Sequence, residues 1–297
     1  MKIFDRRLTP ARPDLAAKHL EGKVEATRFV AGEIRAVIAP QAPVRRTPTP
    51  DAPLDTETLM GERVTVYETT DEGWSWTQLA NDNYVGWIPT HALGEVGPEP
   101  THRVSALRTL VFPGPSIKLP PVVSLPFAAR VAVTRTVGLF AVTAAGGHIP
   151  MRHLAPLASH ESDFIEVAER FLGTPYLWGG KTNLGIDCSG LCQIALTACG
   201  IDCPRDSDLQ QRALGRPFTP ASDFSNLQRG DLVFWNGHIA FVRDPTTLLH
   251  ANAFHMAVAF EPLVEAVSRI RAIEGAPTAV KRIWSDTPPW SRDTSVP

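Results

Sequence analysis

Apolar and polar residues alternate over 63–67, and the same period of two returns over 74–79 and 84–88. The turn formers Asp71-Glu72-Gly73 and Asn81-Asp82-Asn83 separate these runs. This spacing predicts short strands joined by tight turns, a small β-barrel ending near Leu93. Upstream, 40–53 holds Pro40, Pro43, Pro48, Pro50 and Pro53 and reads as an extended connector. Residues 94–100 read as a linker. Strand signals at 129–134 and 139–143, broken by prolines and glycines, predict a second, more divergent barrel. Residues 1–35 read as a partly helical N-terminal segment.

After Ser159 the period changes. Phe164, Ile165, Ala168, Phe171 and Leu172 fall at helical spacing, with Gly173 and Pro175 as a stop. A second helix is predicted from Cys188 to Cys199, closed by Gly200, and a short third one after an Asp206 cap. Strands are then predicted at 232–235, 239–243, 248–251, 257–260 and 280–284. Helices followed by an antiparallel sheet make an α+β domain. The expected organisation is an N-terminal segment 1–35, a first barrel 36–95, a second 100–157, an α+β domain 159–285 and a tail 286–297.

Composition narrows the function classes. The net charge is -2 and the isoelectric point near 6.5, with no basic footprint for nucleic acid. Proline is the outlier, 27 of 297 residues, which favours short strands and irregular connections over long helices. No apolar run approaches the roughly 18 residues of a membrane span. No signal peptide is visible, because Asp5, Arg6 and Arg7 follow before an apolar stretch can form. The four cysteines fall between Cys188 and Cys203 in a spacing unlike that of structural zinc sites, and such a cluster suits a reducing compartment. No metal, no organic cofactor and no obligate protein partner is expected, and the expected compartment is the cytoplasm.

Cys188 is the residue with the clearest chemistry. Gly185-Ile186-Asp187-Cys188-Ser189-Gly190 opens the second helix, so the thiol stands in its first turn, where unpaired N–H groups favour a thiolate or an oxyanion. Cys192 and Cys199 follow on the same face as buried small hydrophobes. A base is offered by His238, directly after the hairpin signal Trp235-Asn236-Gly237. His250 lies twelve residues on. If three residues form the intervening loop, Val242 pairs with Thr246 and His238 faces His250; any odd loop length keeps both imidazoles on one face. A cysteine and two histidines so arranged follow the logic of nucleophile, base and orienting group.

These residues resemble a known family. Pro175-Tyr176-Leu177-Trp178-Gly179-Gly180, Asp187-Cys188-Ser189-Gly190, Gly230-Asp231-Leu232-Val233-Phe234-Trp235, Gly237-His238-Ile239-Ala240 and Leu249-His250-Ala251 look like the NlpC/P60 cysteine peptidases in order and spacing. Leu59-Met60-Gly61-Glu62-Arg63-Val64 and Asn83-Tyr84-Val85-Gly86-Trp87-Ile88-Pro89 look like a bacterial SH3 domain. The layout is similar to γ-D-glutamyl-L-diamino acid endopeptidases of the dipeptidyl-peptidase VI type.

The resemblance implies a papain-like NlpC/P60 catalytic domain preceded by two small SH3-type barrels. It implies Cys188 as nucleophile, His238 as general base and acid, and His250 as the group orienting it. Tyr176 would assist the oxyanion or the substrate, and Asp187, Ser189 and Ser207 match substrate-contacting positions. Tyr84 and Glu62 match first-barrel residues that receive a free N-terminal L-alanine, the carboxylate pairing with its ammonium. The implied substrates are murein tripeptides and tetrapeptides, cut after γ-D-glutamate to release L-Ala-D-Glu during cell-wall peptide recycling. The rival readings are an exported endopeptidase acting on intact peptidoglycan, a non-catalytic wall-binding protein, and an acyl- or amide-transferring relative on the same fold.

Overall fold

In the computed structural model, residues 4–283 are described, and they fall into two compact units that divide between Ser159 and His160. The predicted end of the last strand at Trp284 and the tail 286–297 lie outside the described residues.

The first unit is built of β-structure. Seven strands form one antiparallel sheet in the order Leu54–Leu59, Gln41–Arg45, Val85–Pro89, Trp74–Leu79, Arg63–Thr69, Glu33–Val37 and Leu93–Gly94. Its interior is Val37, Ala42, Val44, Val64, Leu79, Tyr84, Ile88 and Ala92. Two expectations change here. The proline-rich stretch is not a connector: Gln41–Arg45 is a strand paired along its length with Leu54–Leu59. It meets Val85–Pro89 only at Arg45 and Trp87, so one side of the strand is nearly open, the position in a sheet where Pro43 is tolerated. Residues 1–35 are also less helical than expected. The described part holds the parallel strands Leu15–Ala17 and Arg28–Val30 and a single 3-10 turn, Lys18–Leu20, and Glu33–Val37 already belongs to the barrel sheet.

Residues 102–156 form three smaller sheets around Val104, Val111, Leu125, Ala129, Val131, Ala141, Ile149 and Leu154, with Met60 packed against them. Gly61 makes that approach possible: at φ +81° a Cβ there would stand 2.5 Å from the Arg130 carbonyl oxygen.

The second unit is α+β. Helix α1 (Phe164–Glu169) is shorter than predicted and is capped by Asp163, whose carboxylate accepts from the N–H groups of Ile165 and Glu166. Helix α2 (Cys188–Ala198) ends before Gly200 at φ +76°. Helix α3 (Ser207–Ala213) begins after Asp206 as expected, though that carboxylate makes no capping hydrogen bond. The sheet runs Arg216–Pro217, Ala279–Arg282, Asp231–Trp235, His238–Asp244, Thr247–Asn252 and Ala257–Pro262, all antiparallel. Helix α4 (Leu263–Glu274) breaks the expected run of strands. Leu263, Ala266, Val267 and Ile270 recur at helical spacing and bury against Val233, Trp235, Ala240, Val242, Leu248 and Val280.

Candidate active site

The site grows from two local structures, the start of α2 and the hairpin that carries His238. At the helix start Asp187 is the N-cap, its carboxylate accepting from Gly190 N at 2.6 Å. The helix can lie against the 179–180 loop because residue 190 is glycine; a Cβ there would stand 2.3 Å from Gly180 O. This puts Cys188 in the first turn, buried, with its thiol directed at Gly237 O, 3.9 Å away. The N–H groups of Ile239 and Ser189 also face the sulfur, so it lies against the backbone on both sides of His238. Burial pushes the thiol up to about 12, and the Asp187 carboxylate adds to this; the two N–H groups and Arg205 oppose it and do not prevail. The resting group is therefore a thiol rather than the thiolate that the helix start alone favours.

Trp235 pairs with His238 across Asn236-Gly237, the two-residue hairpin that the sequence predicts, with Gly237 at φ +76°. The next hairpin differs from expectation. Asp244 pairs with Thr247 around a two-residue loop, and an even loop by itself separates the imidazoles. A bulge between Val242 and Asp244 shifts the register by one, so Phe241 pairs with Leu249 and Val242 with Leu248. Extending that register sets His250 opposite Ala240, one pleat repeat from His238, and both rings share a face. His238 Nε2 and His250 Nδ1 stand 2.9 Å apart.

Behind this pair lie two residues that stand in no motif. His250 Nε2 is 2.9 Å from Glu261 Oε2. Arg269, on α4, grips the same carboxylate, Nε to Oε1 at 2.8 Å and Nη2 to Oε2 at 2.7 Å. Burial, with the neighbouring His250 and Arg269, holds the His238 imidazole well below its ordinary value. Burial also lowers His250, outweighing the opposite pull of Glu261. Burial raises the Glu261 carboxyl, but the hydrogen bonds from His250 and Arg269 prevail and bring it down to about 2. Their only sequence signal is register: Ala259 pairs with His250, so Glu261 falls on the histidine face of the next strand.

Of the other expected site residues, Tyr176 lies near enough to the thiol for Cys188 to act on its hydroxyl. Its backbone bridges to Ile186, and burial, Cys188 and Asp187 all raise its hydroxyl, which stays a donor. Asp187 and Ser189, expected as substrate contacts, are members of a buried network. Arg205, only 1% exposed, donates from Nη1 and Nη2 to the two Asp187 oxygens at 2.9 and 2.8 Å, and to Ser189 Oγ at 2.8 Å. Arg205 thus has a role of its own within the Pro204-Arg205-Asp206-Ser207 run. Ser207 is half-buried at the start of α3, one turn before Gln210, which donates to Ser189 O.

The two barrel residues are both buried. Glu62 is 7% exposed, its carboxylate accepting from Thr58 Oγ1 at 2.6 Å, Leu59 N at 3.0 Å and Asn81 Nδ2 at 2.7 Å. Tyr84, 3% exposed, packs within the barrel core. Among the described residues, no three His, Cys, Asp or Glu side chains are placed to hold a metal ion, and no helix is long and apolar enough to cross a membrane.

Comparison with known proteins agrees with the geometry. Residues 44–93 match the bacterial dipeptidyl-peptidase SH3 domain and residues 173–273 the NlpC/P60 family. A γ-D-glutamyl-L-lysine dipeptidyl-peptidase of Bacillus subtilis is 30% identical over 62% of this chain and 65% of its own. Dipeptidyl-peptidase 6 of Lysinibacillus sphaericus is 39% identical over 30% of this chain, the match spanning 31% of that protein. The match to a second γ-D-glutamyl-L-lysine dipeptidyl-peptidase, from Bacillus cereus, is 33% identical and likewise spans 31% of that protein. The structure of an NlpC/P60 family protein from Bacillus cereus superposes with a TM-score of 0.69, covering 84% of this chain and 99% of that one, at 19% identity, a likeness of fold. The chain thus carries a bacterial dipeptidyl-peptidase SH3 domain followed by an NlpC/P60 domain in an α+β fold, and is related to the γ-D-glutamyl-L-lysine dipeptidyl-peptidases.

Proposed function

We propose that the protein is a cysteine endopeptidase that cuts the γ-D-glutamyl–diamino acid bond of murein peptides bearing a free N-terminal L-alanine, in cytoplasmic cell-wall peptide recycling. The observation that carries this reading is a buried thiol at a helix start, set against the backbone on either side of a histidine that is hydrogen-bonded to a second one. The choice of bond and of a free N-terminus follows the names of the dipeptidyl-peptidase relatives.

In the reaction, Cys188 Sγ attacks the γ-carbonyl carbon of D-glutamate while His238 takes the thiol proton. The oxyanion is received by N–H groups at the start of α2, with the Tyr176 hydroxyl as a further donor. As the C–N bond breaks, the imidazolium returns the proton to the α-amine of the diamino acid, leaving L-Ala-D-Glu as a thioester. Water, deprotonated by the same imidazole, then releases the dipeptide and restores the thiol. Ser207 serves as a substrate contact.

The test is mass-spectrometric digestion of L-Ala-γ-D-Glu-meso-diaminopimelate-D-Ala and its N-acetylated twin. The expected result is cleavage of the free-amine peptide alone, with L-Ala-D-Glu released. Cleavage of both overturns the requirement for a free N-terminus and points to a general wall endopeptidase. Cleavage of neither by the folded, reduced protein overturns the peptidase reading in favour of a transferase or a binding protein.

A further inference from the structure

The line of side chains behind His238 has a direction. Glu261, 5% exposed and gripped by Arg269, is ionised throughout the working pH range, so it can only accept hydrogen bonds. The His250 nitrogen facing it, Nε2, must carry a hydrogen. His250 is 1% exposed, and burial keeps its ring neutral, so Nδ1 carries none and accepts. His238 Nε2, facing that atom, must donate. The one remaining nitrogen of a neutral His238 is then Nδ1, a bare lone pair and the only atom of the ring able to take a proton from a thiol.

We propose that Glu261 is a positioning residue that fixes the tautomers of both imidazoles, leaving His238 Nδ1 unprotonated as the base. Arg269 holds that carboxylate in place and keeps the proton affinity of the pair down. Without an obligate acceptor at position 261 the whole chain can invert. His250 Nδ1 would then donate to His238 Nε2, the His238 hydrogen would move to Nδ1, and the ring would present a donor where the reaction needs an acceptor. The functional consequence rests on the peptidase reading; the tautomers themselves do not.

The test combines 15N NMR of histidine-labelled full-length protein with kinetics on the free-amine peptide. In the wild type both rings should show hydrogen on Nε2 and none on Nδ1. Glu261→Gln should bring in the Nδ1–H forms and lower kcat about 10- to 100-fold with KM within about twofold, the usual size of an outer-shell effect. Arg269→Gln keeps the carboxylate and should keep both tautomers. Glu261, Arg269 and His255 are charged or titratable groups that act on the pair, beside the Cys188 thiol; Glu261 raises both imidazoles and Arg269 lowers both. Its removal should therefore move the acid limb of kcat/KM to higher pH, by about half a unit or more. A residue that only supports the fold would move neither tautomers nor limb. A hydrogen on His238 Nδ1 in the wild type, or unchanged tautomers in folded Glu261→Gln, overturns the proposal. If Glu261→Gln does not fold, a pH limb unmoved in Arg269→Gln overturns it. If neither peptide is cut, the peptidase reading fails while the NMR result still decides the tautomers.

Discussion

Each unit buries glutamate, and two of these residues, Glu62 and Glu261, are held in opposite ways. In the barrel, Glu62 accepts from a hydroxyl, a backbone N–H and an amide, all neutral. In the α+β unit, Glu261 accepts from an imidazole and a guanidinium. Neutral donors fix a turn and stop there. Charged and titratable donors pass the effect of the carboxylate on to whatever they touch next, here a histidine pair beside a thiol. A motif in the sequence singles out Glu62 and is silent on Glu261, because it reports residue type and spacing, not which donors the side chain meets.

The largest effect should separate the units most sharply. Cys188→Ala should lower turnover of the free-amine peptide by about 10⁴-fold or more, the scale on which a covalent nucleophile is missed, while peptide binding persists. The measurement is a discontinuous cleavage assay beside calorimetric titration of the uncut peptide. Turnover that survives would move the chemistry away from the start of α2, and with it the reason to treat Glu261 as more than a fold element.

Much of this arrangement is legible in the sequence. The Asn236-Gly237 hairpin, the helix opening at Cys188 and its closure before Gly200 follow from local rules and stand where those rules put them. What local rules miss is set by partners distant in the chain. The bulge near Arg243, which returns His250 to the face of His238 after an even loop, depends on a register that no single strand encodes. The proline-rich 40–53 stretch hides a strand because Pro43 is excluded only where both sides of a strand are paired. Glu261 and Arg269 meet through the turn from the last hairpin strand into α4, a helix the strand pattern does not announce.

An intermediate effect tests the barrel half of the comparison. Glu62→Gln removes the charge and replaces one acceptor oxygen by a donor, so the contacts from Thr58 and Leu59 N weaken and Asn81 must turn its amide over to accept. Stability should fall by about 1–3 kcal/mol in urea unfolding. The ratio of rates on the free-amine and N-acetylated peptides should stay within about twofold of wild type. A selective loss on the free-amine peptide, at unchanged stability, would instead make the carboxylate a reader of the ammonium and erase the contrast with Glu261.

The smallest effect is a slope. The folded protein holds His238 and His250 below the ordinary imidazole value, so in this range the unfolded chain binds protons that the folded one refuses. The sign follows: this stability is fully present above about pH 6.5 and is lost as pH falls from there toward the folded values. Glu261 works the same way lower down, since a carboxyl brought down to about 2 contributes above the ordinary glutamate range and loses its contribution as pH drops through it. Each refused proton adds about 1.4 kcal/mol per pH unit to the slope of unfolding free energy. His238→Gln removes one such group, so between about pH 6.5 and 4.5 its curve should be flatter than wild type by up to that amount. The same substitution made in the Glu261→Gln background should flatten the curve over a range that reaches lower pH, because Glu261 raises both imidazoles and its loss makes the folded state refuse the proton still more firmly. Flattening over the same range in both backgrounds would mean that the buried carboxylate of the α+β unit is as inert toward its neighbours as the one in the barrel.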